Sequence, residues 1–178
     1  MFAIIDIETT GGNSRNDRIT EVAIFVHDGE KVVAEYDTLI NPECKIPYYI
    51  SELTGIYDHM VATAPKFYQV AKKIVELTEG CTFVAHNAKF DYYFIRNEFK
   101  SLGFDYDRNT LCTVQLSRKL LPGHASYSLG KLTKDLGITL NMRHRAGGEH
   151  RRGVDQVRAD PLLVREGAAL DAHSVHGV

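Results

Sequence analysis

Phe2-Ala-Ile-Ile-Asp-Ile7 reads as a buried strand, and the apolar stretches Ile19 to Val26 and Val32 to Ile40 read as two more. Asp28-Gly29 sits between the last two, a turn pair that predicts a hairpin, so the chain opens as an antiparallel meander. Asn41-Pro42 ends the third strand, and Pro47 to Gly55 reads as a loop with room for one helical turn. From Lys66 the period changes. Phe67, Val70, Ala71, Ile74 and Leu77 recur at helical spacing up to a stop at Gly80. Cys81 to Ala85 is a short apolar strand, Asn87 a candidate N-cap, and Ala88 to Leu102 a helix closed by Gly103. A fifth strand near Thr110 to Cys112 leads into a helix through Leu120, and after Pro122-Gly123 a last helix spans Ser128 to Leu136. A hairpin start followed by βα units predicts an α/β fold, a mixed five-stranded sheet flanked by helices. From His150 onward the regularity stops: Gly153, Pro161 and Gly167 interrupt any helical stripe, and residues 150–178 read as a weakly structured tail behind a domain of residues 1–149.

Composition narrows the setting. The 178 residues include 44% hydrophobic and 25% charged, enough for one core without a disulfide or structural metal. Cys44, Cys81 and Cys112 are odd in number and far apart, which disfavours a zinc module or a secreted disulfide framework and predicts a reducing, cytoplasmic setting. No apolar run reaches membrane-spanning length, and Asp6 interrupts the N-terminal one, so neither a membrane nor a signal peptide is expected. A net charge of −2 lacks the basic signature of a duplex-coating protein. Nucleic acid remains open, because an acidic site that holds phosphates through metal ions borrows its positive charge from them.

Asp6 and Glu8 lie two apart on the first strand and therefore share a face. Two anions in apolar surroundings repel unless cations neutralise them, and a hard divalent ion suits carboxylate oxygens. A strand end emerging into solvent would explain the pair equally well. Thr9-Thr10-Gly11-Gly12 follows, with hydroxyls and a permissive backbone. Asp91 shares a helical stripe with Ile95, Phe99 and Leu102, which turns its carboxylate toward the sheet; an acid in a first turn also complements the helix dipole. His144 lies in Arg143-His144-Arg145-Ala146-Gly147-Gly148-Glu149, a setting equally suited to a surface loop and to a mobile general base.

Together, Asp6-Ile7-Glu8-Thr9-Thr10-Gly11, His86-Asn87-Ala88-Lys89-Phe90-Asp91 and His144-Arg145-Ala146 resemble the three exonuclease motifs of the DEDD family, in its catalytic-histidine branch. The resemblance covers Met1 to about Gly148. It implies a ribonuclease-H-like fold, two Mg²⁺ or Mn²⁺ ions, and 3′→5′ release of nucleotide monophosphates. By that resemblance Asp6, Glu8 and Asp91 are metal ligands and His144 is the general base, and Glu149 stands at the position of the family's fourth carboxylate ligand. Thr9 and Gly11 cradle the terminal nucleotide, with Asn87 beside them. Leu53-Thr54-Gly55-Ile56 resembles the segment whose apolar side chain, Leu53 or Ile56, wedges against terminal bases, although loop packing explains it as well.

The departure is at the fourth carboxylate. The family places an Asp five residues after the His, opening a long helix, whereas here Glu149 is followed by His150-Arg151-Arg152-Gly153. Asp155 lies six residues beyond Glu149. A natural divergent tail and a change of reading frame near Gly148 both fit. Glu149 extends its carboxylate by one methylene, so the second ion is expected to be held weakly and activity to be low. The expected function is a metal-dependent 3′→5′ exodeoxyribonuclease acting on single-stranded DNA 3′ ends in proofreading or repair, with a polymerase or repair protein as partner. The alternative is a module that binds a nucleic-acid 3′ end or a polymerase with little turnover. The motifs leave DNA against RNA open.

Overall fold

A computed structural model describes residues 1–138. Five strands, β1 (Phe2–Thr9), β2 (Ile19–His27), β3 (Val32–Leu39), β4 (Thr82–Ala85) and β5 (Thr110–Cys112), form one sheet in the order β3-β2-β1-β4-β5. β1 pairs antiparallel with β2 and parallel with β4, which makes it the switch between the hairpin half and the βα half. β3 pairs antiparallel with β2, and β5 parallel with β4. The expected mixed sheet is therefore present. At the predicted hairpin, Asp28 Oδ1 accepts the amides of Glu30 and Lys31 at 2.8 and 2.9 Å while Gly29 takes a φ of 110°.

Six helices complete the described chain: α1 (Tyr48–Thr54), α2 (Asp58–Val61), α3 (Phe67–Thr78), α4 (Lys89–Ser101), α5 (Thr113–Leu120) and α6 (Leu129–Asp135). The main core lies where Ala3, Ile5 and Ile7 of β1 meet Val70 and Ile74 of α3 and Phe94, Ile95 and Phe99 of α4. A smaller cluster of Ile46, Ile50, Ile56 and Val61 packs α1 and α2 together.

Two local expectations need correction. The Pro47 to Gly55 stretch is a seven-residue helix rather than a loop with one turn. Its apolar Ile50 belongs to a small separate core that no periodic run announces, while Pro47 starts it and Gly55, at φ 75°, ends it. Asn87 is not the N-cap of α4; Ala88 is, and Asn87 holds a φ of 74° with its carbonyl accepting the Phe90 amide at 2.9 Å. The sharp turn from β4 into α4 calls for a left-handed residue, a conformation asparagine tolerates better than most. The expected tail of residues 150–178, with His144 and Glu149 before it, lies outside the described residues.

Candidate active site

Along β1 burial alternates strictly. Ala3, Ile5, Ile7 and Thr9 point into the helix-covered core, and Ile4, Asp6 and Glu8 occupy the other, partly open face. The shared face of Asp6 and Glu8 follows from strand geometry. Register then adds a residue that sequence reasoning missed: Glu21 of β2 stands opposite Glu8 and is 2% exposed. A lone acid inside the apolar run Ile19 to Val26 was its only signal.

Asp91 arrives from a different element. The parallel pairing of β4 with β1 sets the start of α4 beside the C-terminal end of β1, and Asp91, in the first turn of α4, is 4% exposed. Burial, reinforced by the charges of Asp91, Glu8 and Glu21, pushes the Asp6 carboxyl well above the usual carboxylate range. Burial likewise pushes Asp91 up to about 7, against the opposing pull of the backbone amides of Asp91 and Ile7. None of the ion pairs among the described residues involves Asp6 or Asp91. The fold thus confines like charges, the reverse of what stability alone selects.

These donors are all oxygens, the chemistry that suits a hard divalent cation. Among the described residues, however, no group of three or more His, Cys, Asp or Glu is gathered that could hold a metal ion by itself. The carboxylates fit part of such a set.

The segment after Glu8 is closely tied. The Thr9 hydroxyl donates to the Gly11 carbonyl at 2.7 Å, and the Arg18 amide donates to the Thr10 hydroxyl at 3.0 Å. A Cβ on Gly11 would collide with the Asp17 carboxylate, which accepts the Asn13 amide at 2.8 Å. A side chain at position 11 would therefore displace the Asp17 carboxylate from its place in the turn. Across from it, α4 supplies two anchors: Asn97 donates to the Ser14 carbonyl at 3.0 Å, and buried Glu98 pairs with Arg18 at 2.9 Å. Glu98, seven residues after Asp91 on the same stripe, was also missed.

The structure separates the two residues of the expected wedge. Leu53 is 59% exposed, whereas Ile56 is 2% exposed and committed to the small cluster of α1 and α2. His86 bridges the Thr113 hydroxyl and the Tyr127 carbonyl, each at 3.0 Å, and burial lowers its pKa. As a neutral ring it donates from Nε2 to that carbonyl and accepts at Nδ1, tying β4 to the approach of α6.

A family model described as RNase_T, Exonuclease, matches residues 3–147. A DNA polymerase III of PolC type from Caldanaerobacter subterraneus subsp. tengcongensis is 38% identical over 145 residues, covering 82% of this chain and 10% of that protein. A 3′-5′ exonuclease DinG from Bacillus subtilis is 37% identical over 150 residues, covering 83% of this chain and 16% of that protein. The chain thus spans between 10% and 16% of the length of these relatives. Among solved structures, Exonuclease X in complex with 5′ overhanging duplex DNA superposes with a TM-score of 0.70 at 27% identity, over 95% of this chain and 93% of that one.

Proposed function

The chain belongs to the RNase_T exonuclease family, and from that premise we propose that it is a 3′→5′ exonuclease that removes nucleotide monophosphates from the 3′ end of single-stranded DNA. Dependence on divalent metal is general to the family. The observation that carries the reading is the convergence of Asp6 and Asp91, from β1 and α4, into a setting that raises both carboxyls. A dication held by these carboxylates would offset the cost of burying them and of their repulsion.

In this reading Asp6, Glu8 and Asp91 hold the ions, with Mg²⁺ or Mn²⁺ the cations that match carboxylate donors. When bound, such ions clamp the scissile phosphate and acidify the attacking water. His144 accepts the proton of that water, and Glu149 completes the ligands with a side chain one methylene too long, leaving a second ion weakly held. Thr9 and Gly11 present backbone to the terminal nucleotide, and Asn87 flanks it. Exposed Leu53 offers an apolar surface to the terminal base, the role left to it by the burial of Ile56. The PolC-type relative supports a replication or repair setting with a polymerase as partner, and a cytoplasmic location is consistent with that setting. Among the described residues no helix is long and apolar enough to cross a membrane.

The test is digestion of a 5′-labelled single strand in Mg²⁺, in Mn²⁺ and in chelator. A ladder shortening from the 3′ end, abolished by chelator and by Asp6→Ala, is expected. Digestion from the 5′ end, or indifference to chelator, overturns the reading; binding without turnover in Mn²⁺ points to the 3′-end-binding module instead.

A further inference from the structure

The outer face of α4 does something different from its inner one. Tyr93, Arg96 and Lys100 fall at i, i+3 and i+7, which places them on one exposed stripe. Beside this stripe a groove of about 520 Å³ runs between α4 and the β1–β2 loop, bordered by Arg15 of that loop and by Phe104 and Asp105 beyond the helix. Three cations therefore face one carboxylate in a chain whose net charge is −2. None of Arg15, Arg96 and Lys100 joins an ion pair among the described residues. Two aromatic side chains stand open in the same groove, Tyr93 at 48% exposure and Phe104 at 66%.

We propose that this groove binds the polynucleotide strand on the 5′ side of the terminal nucleotide, its cations on phosphates and its aromatic rings under bases. A basic track with interleaved aromatics is the common chemistry of single-strand binding without sequence preference. The dimensions agree: the seven residue steps from Tyr93 to Lys100 span about 10 Å at about 1.5 Å per step, room for roughly three phosphates of a stacked strand. The groove shares two elements with the candidate site, α4 and the β1–β2 loop. Asp91 is two residues ahead of Tyr93 on α4, and Arg15 lies on the loop that leaves Thr9 and Gly11. The Asn97 hydrogen bonds to the carbonyl and hydroxyl of Ser14, both 3.0 Å, hold that loop against the helix and keep the two walls apart at a fixed width. The proposal rests on the exonuclease reading for its direction along the strand, not for the binding itself.

Fluorescence anisotropy with labelled oligothymidylates of three and twelve nucleotides, in chelator so that nothing is cut, tests it on the full chain. The wild type is expected to bind the longer strand at least about tenfold more tightly than the shorter one. Arg96→Glu/Lys100→Glu, and independently Arg15→Glu, should erase most of that margin, and the double variant should lower the salt slope of twelve-nucleotide binding by about 1 to 1.5. Lys72→Glu/Lys73→Glu, the same charge change on exposed positions of α3, should leave the margin intact; melting curves confirm that each variant is folded. A margin that survives in both groove variants, or that falls equally in the α3 variant, overturns the groove. Loss of the margin only in the groove variants, in a protein that cuts no strand under any metal, would retain the groove and remove the exonuclease reading.

Discussion

Helices α3 and α4 pack against the same sheet and touch each other through the edge-on pair Phe67 and Phe99, 5.2 Å between centroids, yet they bury different chemistry. α3 buries Phe67, Val70, Ala71, Ile74 and Thr78, and no charge. α4 buries Tyr92, Phe94, Ile95 and Phe99 together with two carboxylates, Asp91 and Glu98. Glu98 has Arg18 at 2.9 Å, which makes it a structural tie. Asp91 has no such cation among the described residues: burial raises its carboxyl to about 7, and its charge adds to the burial that raises Asp6. A buried acid is therefore read by what it faces, not by its burial.

The contrast is broken most severely by Asp91→Asn, which, with Asp91 a metal ligand as proposed, should cut turnover on the order of 10³-fold or more by removing one carboxylate oxygen and its charge. The same change should raise the melting temperature of the metal-free protein, the opposite of an ordinary core polar mutation. Ile74→Ala on α3, at a position with 0% exposure, should cost about 2–5 kcal/mol in denaturant melts and change specific activity little while the protein remains folded. A pH series sharpens the electrostatic half. Because Asp6 and Asp91 have folded-state pKa values above their unfolded ones, their contribution to stability is complete below about pH 4 and is lost as pH climbs through about 7. Metal-free melting temperatures should fall across that window, and the increment given by Mg²⁺ should grow across it; a flat metal-free profile would remove Asp6 and Asp91 from the account. Smallest is Glu98→Gln, expected to cost about 1–3 kcal/mol through the lost Arg18 pair, with turnover reduced only as far as the β1–β2 loop loosens.

Much of this was legible in the sequence. The five strands, the long helices and the shared face of Asp6 and Glu8 follow from periodicity, since alternation and helical spacing depend only on neighbouring positions. What escaped was set by distant ones. Glu21 opposes Glu8 through a register fixed by the length and bonding of the nine-residue loop between β1 and β2, and Glu98 reveals itself only when Arg18 folds back to meet it. Asn87 carries a residue type favoured at caps, but the chain direction at the end of β4 demanded a left-handed turn there. α1 eluded periodicity because it serves a second small core of its own.

The position of β1 has a kinetic consequence. Its antiparallel neighbour begins ten residues downstream of its end, whereas its parallel neighbour β4 lies more than seventy residues away. The hairpin half can therefore assemble early and locally, while closure of β4 onto β1 carries the large entropy of a long loop. Asp6 and Asp91 meet only at that closure. Their repulsion is felt after most of the chain has collapsed, so relief by a cation acts chiefly on the lifetime of the native state, slowing escape from it more than hastening arrival.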